Sequence, residues 1–261
     1  MDGDVGAVGV VASLALVVVA GLVSWRFRLG LVPSLVRASA RALVQLLVVG
    51  SALFLVIEPG RPLVLSWLWV AGMTVYAAWT VRQRVPEAPS ILSAAAVAFA
   101  VTLAVALLVL FGLRIFPIEG RTIVPLAGMA IGNSMTAAVQ AASMLTDQFR
   151  RRVGEIEAAL ALGLSPEQSV LPLVRSVMRD ALSPQIDRTA TVGLVFLPGA
   201  MVGLILAGVD PFAAVMVQVV VMYLVLGAVA TATSTIVVVL SRRLFTPDWR
   251  PRRLDGDGAG G

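Results

Sequence analysis

Seven stretches of this chain are long and apolar enough to bridge a lipid bilayer, and that leaves little choice of architecture. They are Val5–Trp25, Leu43–Ile57, Val64–Val81, Ile91–Leu113, Ile123–Leu145, Ala190–Gly208 and Phe212–Leu240. A hydrocarbon core of about 30 Å needs roughly 20 apolar residues of helix to cross it. The apolar runs are continuous rather than alternating, and a spanning segment must satisfy its own backbone groups, so helices are predicted and barrel strands are not. Leu43–Ile57 is short and is extended back through Arg41 and Ala38. Phe212–Leu240, at 29 residues, is long enough to tilt or to project beyond the membrane. With 59% of residues hydrophobic and 13% charged, the chain has too little polar surface for a soluble protein. The expectation is an all-α polytopic transmembrane helix bundle of about seven spans. Residues 1–254 form a single transmembrane domain, and the polar, Gly-rich stretch 255–261 is a disordered tail.

The arginines orient the bundle. With the N-terminus outside, 17 arginines fall in inner segments, and only Arg61, Arg114 and Arg121 fall in outer ones. This agrees with the positive-inside rule and with an odd number of spans, placing the C-terminus inside. Met1–Asp4 carries two aspartates and no arginine, opposite to the basic start of a signal peptide, so Val5–Trp25 is read as a retained span.

What is missing narrows the chemistry. The chain has no His and no Cys, and all 20 basic residues are Arg. Zinc–thiolate sites, disulfides and His-based triads are excluded, and so is a nucleotide-binding P-loop, which needs its Lys. Catalytic residues and a cofactor bound by this chain are not expected, and any ATP must be bound and hydrolysed by a separate partner. The net charge of +5 is spread in short runs between apolar stretches, so nucleic acid is not an expected partner.

One long polar segment, Thr146 to Thr189, lies on the inner side. Phe149, Val153, Ile156 and Leu160 fall at helical spacing, Gly163 ends that helix, and Ser165-Pro166-Glu167-Gln168 reads as the N-cap, first helical position and capping box of a second helix ending near Pro184. The product is a cytoplasmic helical hairpin at 146–189, with two readings open: a hairpin lying on lipid headgroups, or an element docking into a soluble partner. Glu157-Ala158-Ala159 followed by Gly163 resembles the coupling motif of bacterial ABC importer permeases. There the short helix enters a cleft of the ATPase. On that resemblance Glu155, Glu157, Ala158, Ala159 and Gly163 form the ATPase-coupling element.

Within the apolar stretches, the fifth is the most unusual. Gly128 and Gly132 make a G-x-x-x-G step that lets a neighbouring helix approach closely. Asn133, Ser134, Thr136 and Gln140 follow at once, and an amide in hydrocarbon is costly without a partner. Helix-to-helix bonding and a place on a translocation path are both open for Asn133. The sixth stretch has Pro198, expected to kink it, with Gly199 and Gly203 repeating the small-residue step. Met129, Met135 and Met201 are either soft metal ligands or apolar filling, and no metal site is specified. The candidate path is Asn133, Ser134, Met129, Met135, Gln140 and Met201; the candidate packing or kink positions are Gly128, Gly132, Pro198, Gly199 and Gly203.

Four stretches, taken in order, carry a family resemblance: Arg121–Met135, Glu155–Gly163, Arg179–Pro184 and Val192–Pro211. Over roughly residues 8–250 the chain resembles the iron-export permease family of ABC transporters, formerly an uncharacterised membrane protein family, with plant relatives in aluminium tolerance. The family's Met-Met-Thr-Gly after Leu-Pro-Gly is here Ala200-Met201-Val202-Gly203, without the threonine hydroxyl. The resemblance implies a permease subunit in the bacterial plasma membrane, exporting iron or another metal ion. It also implies a homodimer of the permease working with a separate cytoplasmic ATPase subunit. The alternatives are an ATP-independent carrier or channel, and a membrane assembly subunit that transports nothing.

Overall fold

The computed structural model describes residues 7–58 and 60–252; the N-terminal Met1–Asp4 and the tail 255–261 discussed above lie outside the described residues. Among the described residues there are nine α-helices and no β-strand. They are α1 (Ala7–Arg26), α2 (Val32–Ile57), α3 (Leu63–Arg84), α4 (Ile91–Leu107), α5 (Gly120–Arg151), α6 (Val153–Ala161), α7 (Pro166–Thr191), α8 (Gly199–Leu206) and α9 (Pro211–Arg243), with a π-helical turn, Leu108–Gly112, extending α4. Five are long and apolar enough to cross a membrane: α2, α3, α4 with its π turn, α5 and α9. The protein is an all-α polytopic membrane protein. Its chain falls into two compact units that divide between Arg61 and Pro62.

The first unit is a helical hairpin. The turn between α1 and α2 is held by Ser24, whose backbone carbonyl accepts from the Leu29 N–H (2.9 Å) and whose Oγ accepts from the Leu31 N–H (3.1 Å). Ser24 is 2% exposed, so burying its hydroxyl is compensated by that bond.

The second unit is a bundle built on alanine. Ala94, Ala95 and Ala98 on α4, Ala138, Ala141 and Ala142 on α5, and Ala232 on α9 are all fully buried. Such small side chains let helix backbones approach closely where lipid supplies no hydrophobic drive to associate. Phe99, Ile123, Leu145 and Phe149 fill the interior between them, while other large apolar residues, such as Val75, Val105 and Leu108, point outward, as a lipid-solvated surface requires.

Contacts at one end fix the directions of the helices. Arg150, near the end of α5, pairs with Glu87 beyond the end of α3. Arg243, at the end of α9, donates to the Ser90 carbonyl and to Ser93 Oγ at the start of α4, both at 2.6 Å. Phe149 of α5 meets Phe245 just after α9 edge to face at 5.7 Å. Helices α3, α5 and α9 therefore run toward this arginine-rich end and α4 runs away from it. Because α5 and α9 are parallel, the chain between them has to return the length of the bundle.

That return corrects two sequence expectations. Ala190–Gly208 is not one kinked helix. Instead α7 runs to Thr191, residues 192–198 form an irregular link, and α8 adds eight residues. Pro198 stands as the N-cap of α8 (φ −63°, ψ 141°), so it bounds a helix rather than bending one. The hairpin expected at 146–189 is also redrawn. Helix α5 continues to Arg151, so Phe149 belongs to it, and α6 is a short elbow. Helix α7 continues through Pro184 rather than ending there. Its 26 residues extend roughly 39 Å at 1.5 Å per residue.

Candidate functional site

The elbow is shaped by its caps. Gly163 takes φ +89°, its N–H bonds to the Leu160 carbonyl (2.9 Å), and the Leu164 N–H bonds to the Ala159 carbonyl (3.1 Å). This pair of bonds is the Schellman motif, which reverses the chain at a left-handed glycine. Two residues on, Ser165 Oγ accepts from the Gln168 N–H (3.3 Å), and the Gln168 side chain accepts from the Ser165 N–H (3.0 Å). This is the capping box read from sequence. Ile156 is buried against the bundle, while Glu155, Glu157 and Ala158 are exposed and Ala159 is half-buried. The elbow thus presents two carboxylates and a small-residue step at the arginine-rich end.

The helices that leave the elbow, α5 and α7, converge with α9 farther up the bundle on a cavity where three amides and an arginine stand among apolar side chains such as Phe196, Val221 and Val225. Asn133 stands thirteen residues into α5, about 20 Å from its start, near the middle of the Ile123–Leu145 stretch. Its Nδ2 donates to the Met129 carbonyl at 2.8 Å. Asn133, Gln185, Arg188 and Gln218 line a cavity of about 440 Å³. Asn133, Gln185 and Arg188 also line a second of about 350 Å³, together with Gln140. Gln185 is 8% exposed and Gln218 is 6% exposed, and Gln218 Oε1 has no hydrogen-bond partner. Pro198 and Ala200, at the start of α8, close one side of the first cavity.

The sequence-predicted residues distribute over this frame. Met129 and Asn133 line the first cavity, and Asn133 and Gln140 line the second. Ser134 faces into the helix packing, fully buried with Oγ unpartnered, and Met135 packs against the alanine-rich core. Met201 is half-buried on α8. A Cβ on Gly128 would meet Met73 of α3 at 3.9 Å, while Gly132, Gly199 and Gly203 have nothing within 4 Å. Only Gly128 therefore faces a neighbouring helix of this chain. Among the described residues, no cluster of acidic side chains could hold a metal ion.

Two cavity residues escaped the sequence reading. Gln185 and Arg188 follow Ala181 at spacings of four and three, the same stripe that carries Val170, Val174 and Val177. Extending that stripe past Pro184 would have found them. Arg188, counted among the inner-face arginines, stands instead beside Asn133. Gln218 of α9 also lines the first cavity.

The model of an uncharacterised protein family, UPF0014, matches residues 7–245. The chain belongs to that family. It is 38% identical to the UPF0014 membrane protein STAR2 of Oryza sativa subsp. japonica, over 93% of this chain and 83% of that one. Protein ALUMINUM SENSITIVE 3 of Arabidopsis thaliana is 34% identical, over 88% of this chain and 85% of that one. The probable iron export permease protein FetB of Escherichia coli (strain K12) is also 34% identical, over 85% of each chain. These are the bacterial and plant relatives that the ordered motifs point to. No solved structure matches the chain.

Proposed function

We propose that this chain is the membrane permease subunit of an ABC-type exporter of iron or another metal ion, energised by a separate cytoplasmic ATPase. It sits in the bacterial plasma membrane with the arginine-rich end and C-terminus inside, crosses about seven times counting α7, the link and α8 as one return, and works as a homodimer. One observation carries the reading: the exposed elbow α6 is joined directly to α5 and α7, and both of those helices line the cavity at Asn133, Gln185 and Arg188. A push on Glu155–Gly163 is delivered to both walls at once, because helices are stiff along their length. Ala158 and Ala159 allow close approach by a partner, and Glu157 offers a charge for a basic residue there. Gly163 holds the chain reversal. The name of the E. coli relative supports iron as cargo.

The test is reconstitution with the cognate ATPase in proteoliposomes. ATP-dependent movement of iron, lost when Glu157→Arg also abolishes stimulation of ATP hydrolysis, is the expected result. Iron flux driven by an ion gradient without ATP would assign the chain to the secondary carriers, and no flux at all would leave an assembly role.

A further inference from the structure

Arg188 is a full positive charge on an exposed side chain that lines the same cavities as Asn133, and neither cavity contains a carboxylate. The ion pairs of the described residues join Arg61, Arg150 and Arg242 to acids; Arg188 is in none of them. Asp187, its sequence neighbour, lies about 100° around the helix and lines neither cavity. In the seven-crossing placement proposed above, this level of α7 lies within the membrane, where a guanidinium with no acid beside it is expensive and marks a functional contact.

Two further features converge on the same cavity. Helix α8 begins there without a side-chain cap, and its first backbone bond to the preceding turn is Val202 N–H to the Pro198 carbonyl (3.1 Å). The N–H groups of Gly199, Ala200 and Met201 are therefore left as donors at the positive end of a short helix. Broken membrane helices use such ends to hold anionic groups. Independently, Gln218 is nine-tenths buried and lines the cavity; its Oε1 is itself buried and unpartnered, an acceptor that reaches the cavity once the amide turns over about its last torsion.

We infer that this cavity binds a small hydroxylated oxyanion, a hydroxycarboxylate or a phosphate ester. Arg188 and the α8 N-terminus hold the anionic oxygens, and the Gln218 amide turns so that Oε1 accepts from the hydroxyl. A bare metal cation is repelled here: Arg188 opposes it, and Met129 and Met222, which also line the cavity, offer neutral thioethers that offset none of that charge. Metal enters this site as a complex with such an anion. The inference rests on the reading of the chain as a permease, but binding to the chain alone can be measured apart from ATP-driven flux.

The experiment titrates the full chain, in nanodiscs of phosphatidylcholine, with citrate, with ferric citrate and with ferrous ion alone, following intrinsic tryptophan fluorescence and calorimetry. Citrate and ferric citrate are expected to bind, ferrous ion is not, and Arg188→Gln is expected to weaken citrate by about tenfold or more, with Arg188→Lys intermediate. Gln218→Leu, which leaves the charge in place, is expected to weaken citrate more than it weakens tricarballylate, the same acid without its hydroxyl. Ferrous ion binding equally to wild type and Arg188→Gln, or citrate affinity unchanged in Arg188→Gln, would overturn the inference. So would a response to added phosphatidylglycerol with none to citrate, which assigns the site to a lipid headgroup. Loss of self-association in Arg188→Gln with no effect of anions also overturns it, assigning Arg188 to a pair with a second copy. Citrate binding without ATP-driven flux would preserve the site and sink the permease reading.

Discussion

Asn133 and Ser134 are neighbours in sequence and opposites in role. Asn133 bonds within its own helix, to the Met129 carbonyl, and faces a cavity, so replacing it removes a polar contact without opening a hole in the core. Asn133→Ala is expected to lower transport by about 5- to 10-fold, the equivalent of one polar contact of ~1–1.5 kcal/mol, while thermal unfolding in detergent barely moves. Ser134, fully buried with an unpartnered hydroxyl, carries a desolvation penalty with no compensating bond. Ser134→Ala is expected to raise stability by about 1 kcal/mol, read as a higher midpoint of denaturation with transport unchanged. The exposed pair Arg242–Glu167 at 3.2 Å belongs to neither category. Solvent screens it, and Glu167→Gln is expected to shift stability by less than about 1 kcal/mol.

Among the elements, the elbow and α7 show what a sequence displays and what it hides. Ser165, Pro166 and Gln168 were legible as a helix start because capping depends on local side-chain chemistry, and Gly163 was legible because only a residue without Cβ reverses the chain easily at φ +89°. Gly163→Ala is expected to destabilise by about 1–2 kcal/mol and to reduce stimulation of the ATPase more than Ser165→Ala, which loses a cap of about 1 kcal/mol. A lower unfolding midpoint with full coupling in Gly163→Ala would show that the turn does not transmit force. The course of α7 was not legible, since Pro184 reads locally as a stop. The helix passes through it because the loss is confined to one bond, to the Asp180 carbonyl, and because Pro184 lines a cavity rather than pressing on a neighbouring helix. That single misreading hid Gln185 and Arg188. Asn133 was visible because a polar amide inside an apolar stretch stands out wherever its helix ends.

For the whole molecule, the seven apolar stretches and the uneven arginines were the strongest sequence signals, and the bundle of α3 to α9 gathers Arg150, Arg242 and Arg243 at one end. Because the chain has no cysteine, sidedness can be read with single introduced thiols against a silent background. Glu155→Cys and Asp248→Cys are expected to react with an impermeant maleimide only from the cytoplasmic side. Arg114→Cys and Asp210→Cys are expected to react only from outside. Labelling of position 155 from outside would invert the bundle and remove the elbow from any ATPase.

The link between α7 and α8 has a consequence for life in a bilayer. Only two backbone bonds tie it locally, Gly193 N–H to the Phe196 carbonyl and Val195 N–H to the Thr191 carbonyl, and Leu194 and Val195 lie almost wholly uncovered. Peptide dipoles left open in oil demand a host. In the seven-crossing placement proposed above, the surroundings of this link must therefore be either a hydrated fissure or the flank of another protein, and a solitary copy bathed on all sides by acyl chains would be under constant pressure to find one.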